Sequence, residues 1–416
     1  MVIMNGVTAW GQDTNRVSHE HHGPGSSKSA TSQVDEKASF SVATRAILGV
    51  RNFRQHDSTQ YGVPDLTESY LMLGLEKKLE ATEVRVAYGF VIPEERFLGG
   101  NFFLAHLFGE IVRDDHYLRA GRSRLDNALI EFPTLRDINT LYYGFEMNPY
   151  ARGHSLSNLY GNLIAYRYHL NDEWWIKGQV ENFTDFSPGN FKSEGDGLAL
   201  NEAGFQVKYI NANEAASGVH LAELAGGINT ILLEEDLDLD DPAVKQPNQL
   251  EVISLAAVVR YRQSDEWFIE LREQSMRTLG ARNMPRVEGW QTASRTDGFN
   301  NTASLSYVRL LDDKPSFQIA ALHGLRQFMI AGNEPSQAST WLGQVTYRFS
   351  DLADLSVQAQ WSDRPDELEE AFEALPQYQY SLNLILHLAE TFGGKNKRTS
   401  HLIHAEHNHW LKNHLH

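Results

Sequence analysis

Glu83-Val84-Arg85-Val86-Ala87-Tyr88-Gly89-Phe90-Val91-Ile92 is the stretch whose reading decides the fold. Val84, Val86, Tyr88, Phe90 and Ile92 fall on one side of a two-residue repeat, and Glu83, Arg85, Ala87 and Gly89 on the other. A helix would scatter those apolar residues around its circumference, whereas a strand gathers them on one face.

The same repeat extends in both directions. Upstream, Phe40, Val42, Ala46, Leu48 and Val50 oppose Ser41, Ala43, Arg45, Gly49 and Arg51, and Leu71, Leu73 and Leu75 share a face. Residues 103–112 alternate too weakly for their faces to be assigned. Strands follow at 117–122, 159–170, 174–183, 203–210 and 221–231. Ile253, Leu255, Ala257, Val259 and Tyr261 then oppose Ser254, Ala256, Val258 and Arg260, and Trp267, Ile269 and Leu271 oppose Phe268, Glu270 and Arg272. The last five strands are 303–310, 317–326, 341–349, 355–361 and 378–392, which brings the total to sixteen in an all-β chain.

The connections alternate as well. Short polar turns at 77–81, 113–115, 171–173, 211–217, 263–265, 311–315 and 350–353 are interleaved with long connections near 54–67, 93–102, 124–156, 184–200, 232–248, 277–300, 327–339 and 364–377. In an antiparallel sheet that rhythm puts every short turn, and both ends of the sheet, on one side. A propeller would carry a blade repeat of about 40–50 residues, and none is present; a sandwich has no reason to gather its long loops at one end. An even strand count with short turns on one side and long loops on the other is the pattern of a closed barrel in a membrane. Only helices and closed barrels satisfy every backbone group in a bilayer.

Composition permits this reading and closes others. Charged residues make up 22% of the 416, and no apolar run is long enough for a membrane helix, but membrane strands need none because each alternates lipid-facing and lumen-facing residues. The absence of cysteine removes disulfides and thiolate metal sites. A net charge of −17 argues against a nucleic-acid partner, which needs a basic face. The expected organisation is a disordered polar segment 1–37, a barrel over 38–392, and a His-rich tail 393–416; residues 1–11 can be read as the remnant of a signal peptide.

Tyr117-Leu118-Arg119-Ala120-Gly121-Arg122 before the long third connection, the sixteen-strand rhythm, and a last strand closing on Phe392 together resemble the Gram-negative porins. The likeness spans about 40–392 and is architectural, without a sharp motif. It implies a channel in the outer membrane of a Gram-negative bacterium, passing small hydrophilic solutes by diffusion. It also implies contacts with lipid and lipopolysaccharide, assembly as a homotrimer, and a third loop, 124–156, folded inward to narrow the lumen. The sequence departs from the family where 24 residues follow Phe392.

If the apolar faces meet lipid, the opposite faces line the lumen. Arg45, Arg51, Arg85, Arg119, Arg260, Arg262, Arg272, Arg326, Arg348, Lys177 and Lys208 then point inward, against fewer acids (Glu68, Glu76, Glu83, Glu181 and Glu270). Arg45, Arg85 and Arg119 lie near the origin of the third loop, and opposite Asp126, Glu131 and Asp137 they would set up a transverse field. This gives a mild lean toward anions; the plainer reading is that these arginines pair with neighbouring carboxylates. His401, His404 and His407 recur at three-residue spacing and are weak candidates for a metal site, against a flexible tail. The sequence implies no cofactor, and no nucleophile elbow, His-Glu-x-x-His or phosphate loop suggests an enzyme. Alternatives are an eighteen-strand barrel for polysaccharide or sugar passage, reached if 141–145 and one further segment are strands, and a non-channel barrel with an adhesive or structural role.

Overall fold

The computed structural model describes the strands below, the short turns 114–115, 170–173 and 265–266, and the pair Leu129–Ile130; a few residues beside strand ends are also described. Residues 1–37, 131–159, 393–416 and most of the long connections lie outside the described residues. The first strands are β1 (Ser39–Gln55), β2 (Ser58–Asp65), β3 (Tyr70–Leu79), β4 (Thr82–Val91), β5 (Phe103–Arg113) and β6 (His116–Arg124). Next come β7 (Tyr160–His169), β8 (Trp174–Glu181), β9 (Glu202–Ala212), β10 (Gly218–Leu233), β11 (Asn248–Ser264) and β12 (Trp267–Leu279). The wall finishes with β13 (Gly298–Leu311), β14 (Lys314–Phe328), β15 (Ser336–Ser350), β16 (Ala353–Asp363) and β17 (Tyr378–Phe392).

Each strand pairs antiparallel with its neighbour, and β17 pairs back onto β1 from Phe40↔Phe392 to Arg54↔Tyr378, closing the sheet. Sixteen strands make the circuit, because β3 follows β1 directly through Ser39↔Glu76 to Arg45↔Tyr70. The seventeenth, β2, lies in the first long connection and pairs with β1, from Gly49↔Asp65 to Gln55↔Ser58. It continues the wall above the point where β3 stops. Following the pairing once around returns to β1 about 20 residues further along, which for sixteen strands means a tilt of about 40°. With strands about 4.8 Å apart, such a wall measures about 32 Å across from backbone to backbone.

The two faces separate as the repeat requires. Leu48, Leu75, Val86, Ile111, Leu255, Leu271, Val345, Val357 and Leu382 are exposed on the outside, while Ala43, Met72, Phe108, Lys177, Glu270, Gln344 and Ser356 are buried on the inside. In water such an apolar exterior would be a very large exposed patch; in lipid it is the solvated surface. Aromatic rings border it at both ends. Phe40 and Phe392 stack at 6.3 Å, Trp174 meets Tyr209 at 4.9 Å and Trp267 meets Tyr307 at 5.7 Å near the short-turn end. Trp341, Trp361 and Tyr378 fall in one register row near the other end.

The short turns are built locally. Asp114 adopts φ 50, a left-handed conformation that Asp and Asn tolerate better than most residues. Asn171 Oδ1 accepts the N–H groups of Glu173 and Trp174 at 2.9 and 2.8 Å, an Asx turn. Gly121, at φ 130, faces Phe108 across the β5–β6 ladder so closely that a Cβ there would stand 2.4 Å from the Leu107 carbonyl oxygen.

Candidate functional site

The inward faces of β3 to β12 carry a band of ion pairs. Glu110, on β5, accepts hydrogen bonds from Arg85 Nη1 at 3.1 Å and from Arg119 Nη2 at 3.2 Å. Arg85 also bonds Glu83 at 2.6 Å and lies 3.8 Å from Glu76. The Arg119 guanidinium rests 4.5 Å from the centre of the Phe108 ring, a cation–π contact that helps hold it against the wall. Further round, Glu270 takes Arg260 Nε and Nη2 on one oxygen at 2.9 and 2.7 Å and Arg272 Nε on the other at 2.6 Å. Lys208 is paired with Glu223; outside this band one further pair, Arg348 of β15 with Asp354 of β16 at 2.9 Å, sits beside the short turn that joins those strands. Because these groups are buried, each partner stands in for the water its counterpart has lost.

From β13 to β17 the wall changes character. Its inward residues include Thr302, Ser304, Ser306, Gln318, Thr340, Gln344, Thr346, Gln358, Gln360, Gln379, Ser381 and Asn383, all buried and uncharged. They bond one another across and along strands: Thr346 donates to Ser356 at 3.3 Å, Gln344 to Thr346 at 2.9 Å and Asn383 to Ser381 at 3.1 Å. A narrow apolar strip, Ile47 against Ile385, marks the seam between β1 and β17. The inner wall therefore has a charged sector and a neutral hydrogen-bonding sector.

Two residues of the third long connection are described, and both are buried. The Leu129 and Ile130 amides donate to Gln274 Oε1 on β12 at 3.1 and 3.3 Å, and the Leu129 carbonyl accepts from Lys208 Nζ on β9 at 3.5 Å. A Cβ added to Gly227 on β10 would meet the Leu129 side chain at 3.2 Å. The connection leaves the wall at Arg124, on β6, and a fully extended chain gains at most about 3.5 Å per residue. Leu129, five positions on, is hydrogen-bonded to β9 and β12 and lies against β10.

Among the residues the sequence singles out, Arg85 and Arg119 come together on Glu110, while Arg45 is buried with its guanidinium 4.9 Å from the Tyr70 ring. Asp126, Glu131 and Asp137 lie outside the described residues, as do His401, His404, His407 and the segment 141–145. Among the described residues no group of His, Asp and Glu could hold a metal. Sequence reasoning missed Glu110, Glu223, Asp354 and Gln274. A bulge hid the first: Gly89 pairs with His106 but Phe90 with Leu104, so Ala105 is skipped and the inside–outside phase of β5 flips within its length. Gln274 carries no signal in the sequence, since its role depends on what lies across the lumen.

No known protein family matches the sequence, and no curated protein matches it. Solved structures do match the fold. OmpF of Salmonella typhi, solved with daunomycin, is 12% identical with a TM-score of 0.55, covering 85% of this chain and 98% of that one. The outer membrane channel DcaP of Acinetobacter baumannii is 9% identical with a TM-score of 0.53, covering 85% and 96%. The anion-selective porin of Comamonas acidovorans is 11% identical with a TM-score of 0.51, covering 85% and 99%. With the closed wall of sixteen strands and its apolar exterior, the chain has the porin-like fold of an outer-membrane β-barrel.

Proposed function

We propose that this barrel is a channel in the outer membrane of a Gram-negative bacterium through which small hydrophilic solutes pass by diffusion. In this reading the third loop, 124–156, folds inward and narrows the lumen. The observation that carries it is the seating of Leu129 and Ile130 on Gln274 and Lys208, well round the wall from the strand they leave. Arg45, Arg85 and Arg119 form the basic side of the constriction, facing Asp126, Glu131 and Asp137. A mild preference for anions draws on the inward Arg45, Arg51, Arg167 and Lys177, although pairing with acids tempers it. The channel works without a cofactor and is not an enzyme. Its exterior meets lipid and lipopolysaccharide, and homotrimers fit both the porin-like fold and the trimer form described for a Vibrio cholerae outer membrane protein of the same fold.

Reconstitution in planar bilayers tests the reading. Discrete conductance steps are expected, with larger steps for Gln274→Met, which removes the acceptor holding two loop amides. A folded barrel without steps overturns the channel; steps of unchanged size in Gln274→Met overturn the inward loop. The neutral sector on β13 to β17 favours a second reading, passage of sugars, because amides and hydroxyls can exchange hydrogen bonds with a polyhydroxylated solute. Faster liposome swelling with neutral sugars than with salts of matched size supports it.

A further inference from the structure

Glu273 is a carboxylate on the wrong face of β12. It is exposed on the outside, with Leu271 two residues toward the short-turn end and Ser275 and Arg277 on the other side. Across the ladders it lies between Ala257 of β11 and Ala303 of β13. Asn301 Nδ2 donates to Glu273 Oε1 at 2.9 Å and to Ser275 Oγ at 2.8 Å. This leaves the second Glu273 oxygen and the Ser275 hydroxyl proton without a partner among the described residues.

Its depth makes the position costly. Trp267, at the short-turn end, is six residues away on the same strand, about 15 Å along the barrel axis at a tilt of about 40°. The apolar band of such a barrel is about 25 Å tall, which places Glu273 a little past its middle. Leu255 and Leu305, diagonal neighbours on the flanking strands, are 64% and 55% exposed, as lipid-facing residues are. Hydrocarbon offers a carboxylate no hydrogen bond, and acidic side chains within membranes are rarely left facing lipid.

We propose that the β11–β13 face is where one copy of this chain meets another within the membrane, the Ser275 hydroxyl of one copy donating to Glu273 of the next. Ala257 and Ala303 leave a shallow recess on either side of the carboxylate, and small residues let backbones approach closely in membrane interfaces. The patch complements itself in chemistry, with an unspent donor and an unspent acceptor one residue pair apart. Copies in one bilayer share the same orientation, so both groups recur at matching depth. On β1, β3 and β4, Leu48, Leu73 and Val86 face outward and present apolar contact, with no carboxylate among them. The proposal rests on the membrane-barrel reading but not on conduction.

The cysteine-free chain permits a clean test. Ala303→Cys and, on the far wall, Leu73→Cys are made separately and treated in native outer membranes with a short bismaleimide. Cross-linked dimer at Ala303→Cys with none at Leu73→Cys is expected. In the full chain, Glu273→Leu should raise the monomer fraction in mild detergent at least tenfold, while the heat-dependent gel shift of the barrel itself is kept. Equal cross-linking at the two sites, or none at Ala303→Cys although its thiol reacts with a monofunctional maleimide, overturns the proposal. So does an oligomer unaffected by Glu273→Leu, or a single-chain mass in lipid nanodiscs, the outcome if only lipid covers the patch. Oligomers that do not conduct would leave this interface standing and overturn the channel; conducting monomers would do the reverse.

Discussion

Glu110→Gln should shift ion selectivity toward anions by a calculable amount. The carboxylate holds Arg85 at 3.1 Å and Arg119 at 3.2 Å, and the amide keeps its shape while removing one negative charge from the lumen. Arg85 keeps Glu83 at 2.6 Å, so the main local change falls on Arg119. For an ion passing about 8 Å away, a unit charge in water is worth about 0.5 kcal/mol. Screening at 0.1 M salt cuts this to about 0.2 kcal/mol. An anion gains that amount and a cation loses it, so the anion-to-cation permeability ratio should rise about twofold. The assay is the reversal potential across a planar bilayer under a salt gradient. At 1 M salt, where the screening length is about 3 Å, the shift should nearly vanish. Arg119→Gln should move the ratio the other way by a similar factor, and the double substitution should return it close to the starting value. A folded, conducting Glu110→Gln channel with unchanged selectivity at low salt would refute the placement of this pair on the ion path.

Three further outcomes follow from the same wall. Glu270→Gln leaves Arg260 and Arg272 sharing a neutral partner in a fully buried position, and breaking such a cluster should cost about 3–5 kcal/mol, read as a lower urea midpoint for unfolding in lipid vesicles. Gly121→Ala combines a positive φ with a Cβ 2.4 Å from a backbone oxygen; a loss of about 2 kcal/mol or more is expected, seen as a lower temperature for the unheated-to-heated gel shift. Leu305→Arg, on an exposed outward position, should cost about 2–4 kcal/mol if that face meets lipid; near-neutral behaviour would mean that it meets water.

Much of the architecture was legible because a strand that is wet on one face and apolar on the other writes its orientation into every second residue. The sixteen strands of the circuit correspond one for one with the alternating segments, and Arg45, Arg119, Arg260, Lys177 and Lys208 are buried on the side the repeat assigns them. β2 falls inside the stretch read as the long connection 54–67; an edge strand can accommodate a proline, and Val50↔Pro64 is such a position. Which acid meets which base was not legible. Partners depend on register between strands, and the Ala105 bulge changes register within a single strand.

The ladder joining β1 to β17 has a consequence for how the molecule is made. Phe40↔Phe392 and its neighbours link the two ends of the sheet, so the cylinder stays an open ribbon until the last strand is synthesised. Until then β1 and β17 present two long unsatisfied edges, the kind of surface that templates aggregation. Loop closure over such a separation is entropically slow. Synthesis and closure are therefore distinct events, and the interval between them is when the chain most needs escort by a holding chaperone that keeps β1 from pairing with a stranger.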